Sequence, residues 1–272
     1  MPPANPAEPA ELLDLAAEAA RLGGATLLEW RAGFVAREKA PADLVTDADL
    51  ASQRAVAGLI ADRRPDDRFV GEEDGDQEPP PADGRVCWVV DPLDGTVNYV
   101  HGYPAYATSV GVTRDGQLLA GAVYDPLRDE LFLAAAGGGS RLIAPTGETS
   151  LRSSDCEDLG ESLVAVSLPP RVSADSPDLA GFVSVVQACR AVRRSGSAAL
   201  NLAYVAAGRL DAHWAHVIKP WDAAAGVLIA REAGACVTAA DGQPFDLWRA
   251  DYLVASTPEL HAAVLDRVTW RG

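Results

Sequence analysis

Four apolar runs crowd between Arg85 and Ala135, and they constrain this chain more than any other feature. They span residues 85–90, 105–113, 117–125 and 130–135, with turns at Asp115-Gly116 and from Pro126 to Asp129. Short apolar or alternating runs bounded by turn residues are strands, and neighbours joined this tightly pair antiparallel. The spacing therefore predicts an antiparallel meander over the last three runs, and a strand for the first, with VCWVV at its centre and Asp91 at its end. GGGS at 137–140 punctuates the far end.

The second half has another rhythm. Strands at 162–167, 191–195, 210–214 and 235–239 alternate with helices at 177–190, 198–207 and 221–233, and a strand–helix pair follows over 251–267. Alternation of this kind belongs to α/β architecture. The polar, turn-rich stretch from Pro145 to Asp158 places a boundary near 150, dividing an N-terminal half (1–150) from a C-terminal half (151–272). Ahead of the meander, apolar residues at helical spacing predict a helix over 8–31. Thr46 reads as the N-cap of a second helix from Asp47 to about Arg63, followed by a short strand over 68–73 that ends in acids. Residues 1–7 read as a frayed tail, and Arg37 to Val45, with Pro41 and charges, as an exposed loop.

Charge narrows the function. With 23 basic against 39 acidic residues the net charge is −16. A chain this acidic repels phosphate backbones and anionic lipid, which argues against nucleic acid and membrane surfaces as partners. An anionic substrate would need cations to reverse the local sign. No apolar run approaches a membrane span of about 18 residues, and no leader pattern opens the chain, so a cytoplasmic location is expected. The four cysteines (Cys87, Cys156, Cys189, Cys236) include no C-x-x-C pair and suggest neither a disulfide framework nor a zinc knuckle; reduced, buried thiols are expected.

Acids recur at predicted element ends. Asp91-Pro92-Leu93-Asp94-Gly95-Thr96 follows a buried strand, the usual place for ligands in α/β sheets. Pro92 stiffens the turn, Gly95 permits backbone geometry closed to other residues, and Thr96 can start a helix whose N–H groups face an anion. Glu72 and Glu73 end another strand, Asp222 opens a helix, and Asp47 and Asp49 open a further one. Singly, each has a plain reading as a solvated acid or helix cap. Gly196-Ser197-Ala198 is a small-residue junction that suits either close packing or anion binding. Convergence of Asp49, Glu72, Asp91, Asp94 and Asp222 would need cations, because two charges ~4 Å apart cost about 4 kcal/mol per pair at an effective dielectric of about 20. An all-oxygen set selects Mg²⁺ or Mn²⁺ ahead of zinc.

These blocks, GEE (71–73), DPLDGTVNYVHGYP (91–104) and WDAAAG (221–226), together with DLVTDAD (43–49) and RSGSAALNLAYVAAGRLDA (194–212), resemble the inositol monophosphatase family of lithium-sensitive, magnesium-dependent phosphatases. The resemblance runs from about residue 8 to 268 and implies an αβαβα sandwich: an α+β half, an α/β half and a site between them. By the same resemblance, Glu72, Asp91 and the Leu93 carbonyl would bind one Mg²⁺. Asp91, Asp94 and Asp222 would bind a second, and Glu72 would face a weaker third through water. Thr96, bonded to Asp49, would orient the attacking water, so Asp49, Thr96 and Glu72 are the implied catalytic residues. Phosphate and substrate contacts would come from Asp94, Gly95, Thr96, Gly196, Ser197, Ala198 and Asp222. Hydrolysis of a small phosphorylated alcohol by a homodimeric enzyme follows.

Two positions depart from the family pattern. Ala215 stands where inositol-phosphate hydrolases usually carry a Glu, seven residues before the WD aspartate, and Lys39 is the nearest candidate for a mobile-loop lysine. The rivals are the same chemistry on histidinol phosphate, fructose 1,6-bisphosphate or 3′-phosphoadenosine 5′-phosphate, or a non-catalytic protein-binding regulator. His213 and His216 read as surface or interface residues, and Asn98 and Tyr99 as packing residues.

Overall fold

The computed structural model describes residues 8–40, 43–75, 78–169, 171–249 and 251–268. The tail reading for residues 1–7 lies outside them. The chain opens with helix α1 (Glu8–Trp30), whose buried stripe includes Leu12, Ala16, Ala19 and Leu27. Strands β1 (Ala36–Ala40) and β2 (Asp43–Thr46) pair antiparallel, so the segment expected as an exposed loop is a hairpin. The first strand is mostly charged and the second has only Leu44 and Val45 as apolar residues, too short a run to signal a strand. Helix α2 (Asp47–Arg63) then starts on a capping box: the Thr46 hydroxyl accepts the Ala48 and Asp49 N–H groups, and the Asp49 carboxylate accepts the Thr46 N–H.

Seven strands follow in spatial order β3 (Arg68–Gly71), β4 (Val86–Asp94), β5 (Ala107–Arg114), β6 (Gln117–Asp125), β7 (Glu130–Ala135), β8 (Ser140–Ala144) and β9 (Gly147–Ser150). Only β3 and β4 run parallel; the other neighbouring pairs are antiparallel, with the expected meander over β5, β6 and β7 and with β4 joined to its edge. The sheet extends it by the β8–β9 hairpin, which the sequence reading left out. The exposed edge strand β9, GETS, has no apolar residue to signal it. Helix α3 (Thr96–His101) leaves the end of β4 through Gly95.

The second sheet has the order β11 (Ala191–Arg193), β10 (Leu163–Ser167), β12 (Ala212–Ala215), β14 (Tyr252–Ala255) and β13 (Cys236–Thr238). The first three are parallel and the last two antiparallel to their neighbours. Helices α4 (Pro177–Val186) and α7 (Pro258–Val268) cover one face. Helices α5 (Ala198–Ala206) and α6 (Pro220–Glu232) cover the other.

The layers stack as α1/α2, the seven-stranded sheet, α5/α6, the five-stranded sheet, and α4/α7, the αβαβα order that the family resemblance implies. Three main apolar clusters fill the gaps between layers. The middle layer lies unusually close to the larger sheet because the facing surfaces are small. A Cβ at Gly111 would lie 2.4 Å from the Ala224 Cβ, and one at Gly121 would lie 2.9 Å from backbone atoms of Ala225. That closeness brings the N-terminus of α6, and Asp222 with it, down to the end of β4.

Candidate active site

Residues three apart on a strand point to opposite faces, so Asp91 and Asp94 could not converge on a regular β4. The pairing with β5 shows how they do. Asp91 faces Ser109 and Asp94 faces Ala107, so three steps on β4 answer two on β5 and one residue is extra. Bulges of this kind redirect side chains. Pro92 offers no N–H to the ladder, and its carbonyl accepts the Ser52 and Thr108 hydroxyls at 3.0 and 3.1 Å. The Leu93 N–H donates to Asp91 Oδ1 at 2.9 Å, tightening the turn. One oxygen each from Asp91, Asp94 and Asp222 then falls within 4.8 Å of the others, a group that could hold a metal ion.

Asp222 reaches this group from the first turn of α6, where its Oδ2 also accepts the Lys219 N–H at 3.0 Å. Glu72 comes from the end of β3, beside but outside the three-aspartate group. Burial together with mutual repulsion shifts all of them. The Glu72 carboxyl is pushed up to about 8, by burial first and by Asp222 and Glu73 against the pull of Lys39. Asp94 is pushed up to about 7 by burial and Asp222. Asp91, almost completely enclosed, is raised by burial and then by Glu72, Asp94 and Asp222. Acids held this far above their ordinary range are short of positive charge. The three-aspartate group is all carboxylate, with no sulfur or imidazole, which fits a hard divalent cation.

One cation is already present. The Lys39 ammonium, on β1, meets Glu72 at 3.1 Å and Glu73 at 2.6 Å. Burial alone would lower its pKa; the charges of Glu72 and Glu73 outweigh that and raise it. The site-facing position of Lys39 depends on the β1–β2 hairpin, which the sequence did not reveal.

Asp49 stands behind this cluster, fully buried in the first turn of α2 and raised by that burial. It accepts the Thr96 hydroxyl at 3.1 Å, and Thr96 Oγ1 also lies 3.1 Å from the Leu93 carbonyl. Gly95, which caps α3, holds a φ of 97°, a left-handed geometry that disfavours a side chain. The expected Asp49–Thr96 pair is therefore in place, with Gly95 turning the chain between Asp94 and Thr96.

Asp94 has a second task. It accepts the Ser197 hydroxyl, the Ala198 N–H at 3.1 Å and the Ala199 N–H at 2.9 Å, so it closes the N-terminus of α5. Ser197 and Ala198 thus face Asp94, while Gly196 stays exposed. A hydrogen bond across 103 residues leaves no local trace in the sequence.

Two further readings meet the structure here. His213 is not a surface residue: it is completely buried, bridging Ser167 Oγ and the Tyr252 hydroxyl at 3.1 Å each, and burial pushes its imidazole down to about 3. Alternation failed there because β12 is covered on both faces. Ala215, in the same strand, is also fully enclosed in the central core. Of the four cysteines, none is in a disulfide; Cys87 is buried and the other three are half-buried.

Comparison with known proteins adds an independent line. The model of the inositol monophosphatase family matches residues 8–269. An inositol-1-monophosphatase of Caulobacter vibrioides is 37% identical over 236 residues, 85% of this chain and 89% of that protein. A Nus factor SuhB of Pasteurella multocida is 36% identical over 264 residues, 94% of this chain and 95% of that protein. The crystal structure of the extragenic suppressor protein suhB from Bartonella henselae superposes with a TM-score of 0.87 at 30% identity, covering 96% of this chain and all of that one.

Proposed function

Because the chain belongs to the inositol monophosphatase family, a family of phosphoric monoester hydrolases, we propose that it is a Mg²⁺-dependent phosphatase acting on inositol 1-phosphate or a similar small phosphorylated polyol. The observation that carries this reading is the bulge-focused cluster of Asp91, Asp94 and Asp222 beside the Asp49–Thr96 pair. Glu72, Asp91, the Leu93 carbonyl, Asp94 and Asp222 are the groups that would hold Mg²⁺, with Mn²⁺ as a substitute. Bound there, the ions supply positive charge to the phosphate and an acidified water, the chemistry of a multi-metal phosphoryl-transfer site.

The chain's own groups do the rest. The Thr96 hydroxyl donates a hydrogen bond to Asp49, which leaves its oxygen lone pairs to orient the attacking water; as the water attacks, its proton passes to Thr96 and the Thr96 proton to Asp49. The Gly95 and Thr96 N–H groups hold phosphate oxygens, and the 196–198 segment faces the alcohol. Glu72 steers its neighbouring water, with Lys39 balancing its charge when that position is uncompensated. The absence of described helices long and apolar enough to cross a membrane suits a soluble substrate.

Release of inorganic phosphate from inositol 1-phosphate should require Mg²⁺ or Mn²⁺, stop in excess EDTA, and fall with Li⁺. Full turnover in EDTA refutes the metal site. Histidinol phosphate, fructose 1,6-bisphosphate and 3′-phosphoadenosine 5′-phosphate belong in the same panel and decide the substrate. A homodimer is the expected assembly, read by light scattering. The Nus factor name of one relative motivates a partner role beside catalysis, and the intact carboxylate set argues against a role that replaces it.

A further inference from the structure

We infer that Asn98 is a positioning residue that holds the 195–197 loop in register with the phosphate-binding turn and so sets how well the alcohol part of a substrate is gripped; this rests on the phosphatase reading above. The sequence presents Asn98 as a packing residue inside a longer block. The structure gives its amide a specific duty. Both of its N–H bonds are used on carbonyls of different segments: Asn98 Nδ2 donates to Ala105 O at 2.6 Å and to Ser195 O at 2.8 Å, the second bond spanning 97 residues and joining the two halves of the chain.

The surrounding geometry leaves room for little else. Gly196 has a φ of 85°, and a Cβ there would lie 2.9 Å from Asn98 Nδ2, so the amide rests directly against the glycine. Gly95 meets the same loop from the other side, since a Cβ on it would lie 2.9 Å from Ala105 O and 3.2 Å from Gly196 O. The loop is tied at two further points: Ser195 Oγ donates to Asn201 Oδ1 at 2.7 Å, and Ser197 and Ala198 donate to Asp94. Those two ties hold the loop to α5 and to the metal-holding carboxylate. Only Asn98, among the described side chains bonded to this loop, ties it to α3, the helix that begins with Thr96. Exposed Gly196 is thereby set beside the Gly95–Thr96 turn at a fixed separation. A substrate with phosphate on that turn and hydroxyl groups on the loop would be read by this spacing.

The test compares inositol 1-phosphate with p-nitrophenyl phosphate, which carries no alcohol hydroxyls, in the wild type, Asn98→Ala and the nearly isosteric Asn98→Asp at saturating Mg²⁺. Asn98→Asp keeps the shape and turns an acceptor toward the two carbonyls, so it answers the question even where Asn98→Ala folds poorly. We expect KM for inositol 1-phosphate to rise about tenfold in both variants, the scale of one lost hydrogen bond, with kcat within about threefold. kcat/KM for p-nitrophenyl phosphate and the Mg²⁺ dependence should stay within about threefold. Equal losses on both substrates, or no loss on either, overturn the positioning role. A wild type that hydrolyses neither of these two nor any phosphate monoester of the panel overturns the phosphatase reading itself. If wild type turns over p-nitrophenyl phosphate alone, the same ratio is read on the best phosphorylated polyol of the panel, and absence of any such polyol overturns the Asn98 role and leaves the phosphatase reading standing.

Discussion

Thr96 shows what single atoms contribute here. Its hydroxyl sits 3.1 Å from both Asp49 Oδ1 and the Leu93 carbonyl, and it is half-buried rather than part of the core. Thr96→Ala should therefore lower kcat by on the order of 10²–10⁴-fold, the range for a lost acid–base partner, while Tm moves little. Thr96→Ser should restore most of the rate. Steady-state kinetics with a melting curve for each variant checks both, and a Thr96→Ala enzyme with near wild-type kcat removes Thr96 from the chemistry. Residues such as this were legible because DPLDGT is local and Asp49 opens a helix. Lys39, Ser197 and Asn98 were harder to read: their decisive partners lie 33, 103 and 97 residues away, and no spacing pattern encodes a contact of that range.

At the scale of elements, α6 determines whether Asp222 arrives. It rests on bare strand backbone at Gly111 and Gly121, and the atoms opposite Gly121 belong to the main chain of Ala225, which cannot step aside as a side-chain tip would. Gly121→Ala should push α6 away from the sheet at a cost of about 1–3 kcal/mol, the range for overpacked interiors. Because Asp222 travels with the helix, the Mg²⁺ concentration for half-maximal activity should rise as well. Denaturant melts and a Mg²⁺ titration read the two effects; loss of stability with unchanged Mg²⁺ dependence would separate the packing from the site. Long helices and apolar strands carried their own periodicity and were readable. The β1–β2 and β8–β9 hairpins were not, since β1 and β9 are polar and the apolar residues of β2 and β8 are too few to show a period. The bulge in β4 was equally hidden: it is a property of two strands together.

Across the whole molecule, the raised carboxyls link folding to pH and to metal. Glu72 near 8 and Asp94 near 7 lie above the values of about 4.3 and 3.9 that these groups have in an unfolded chain. Between those limits the native state binds more protons than the unfolded one, so metal-free stability is greatest at the acid end of the window and falls as pH rises toward about 8. Divalent cations bind only the deprotonated set. The increase in Tm on adding Mg²⁺ should therefore be small near pH 5 and largest near pH 8. Melting curves with and without Mg²⁺ across that range test this; taking the difference cancels groups away from the site, such as buried His213. A Mg²⁺ effect independent of pH would mean that the carboxyls are not coupled to the ion.

The middle helical layer has a consequence during synthesis. By Ser150 the ribosome has delivered the whole larger sheet, with Glu72, Asp91 and Asp94 on it. Of the two helices that cover its inner face, the longer, α6, starts at Pro220, about seventy residues later. At roughly 5–20 residues per second the nascent sheet waits about 4–14 s with Val89, Val123 and Phe132 uncovered. Like charges repel, so the acids at the rim of that face would oppose its association with a neighbouring nascent sheet through the interval.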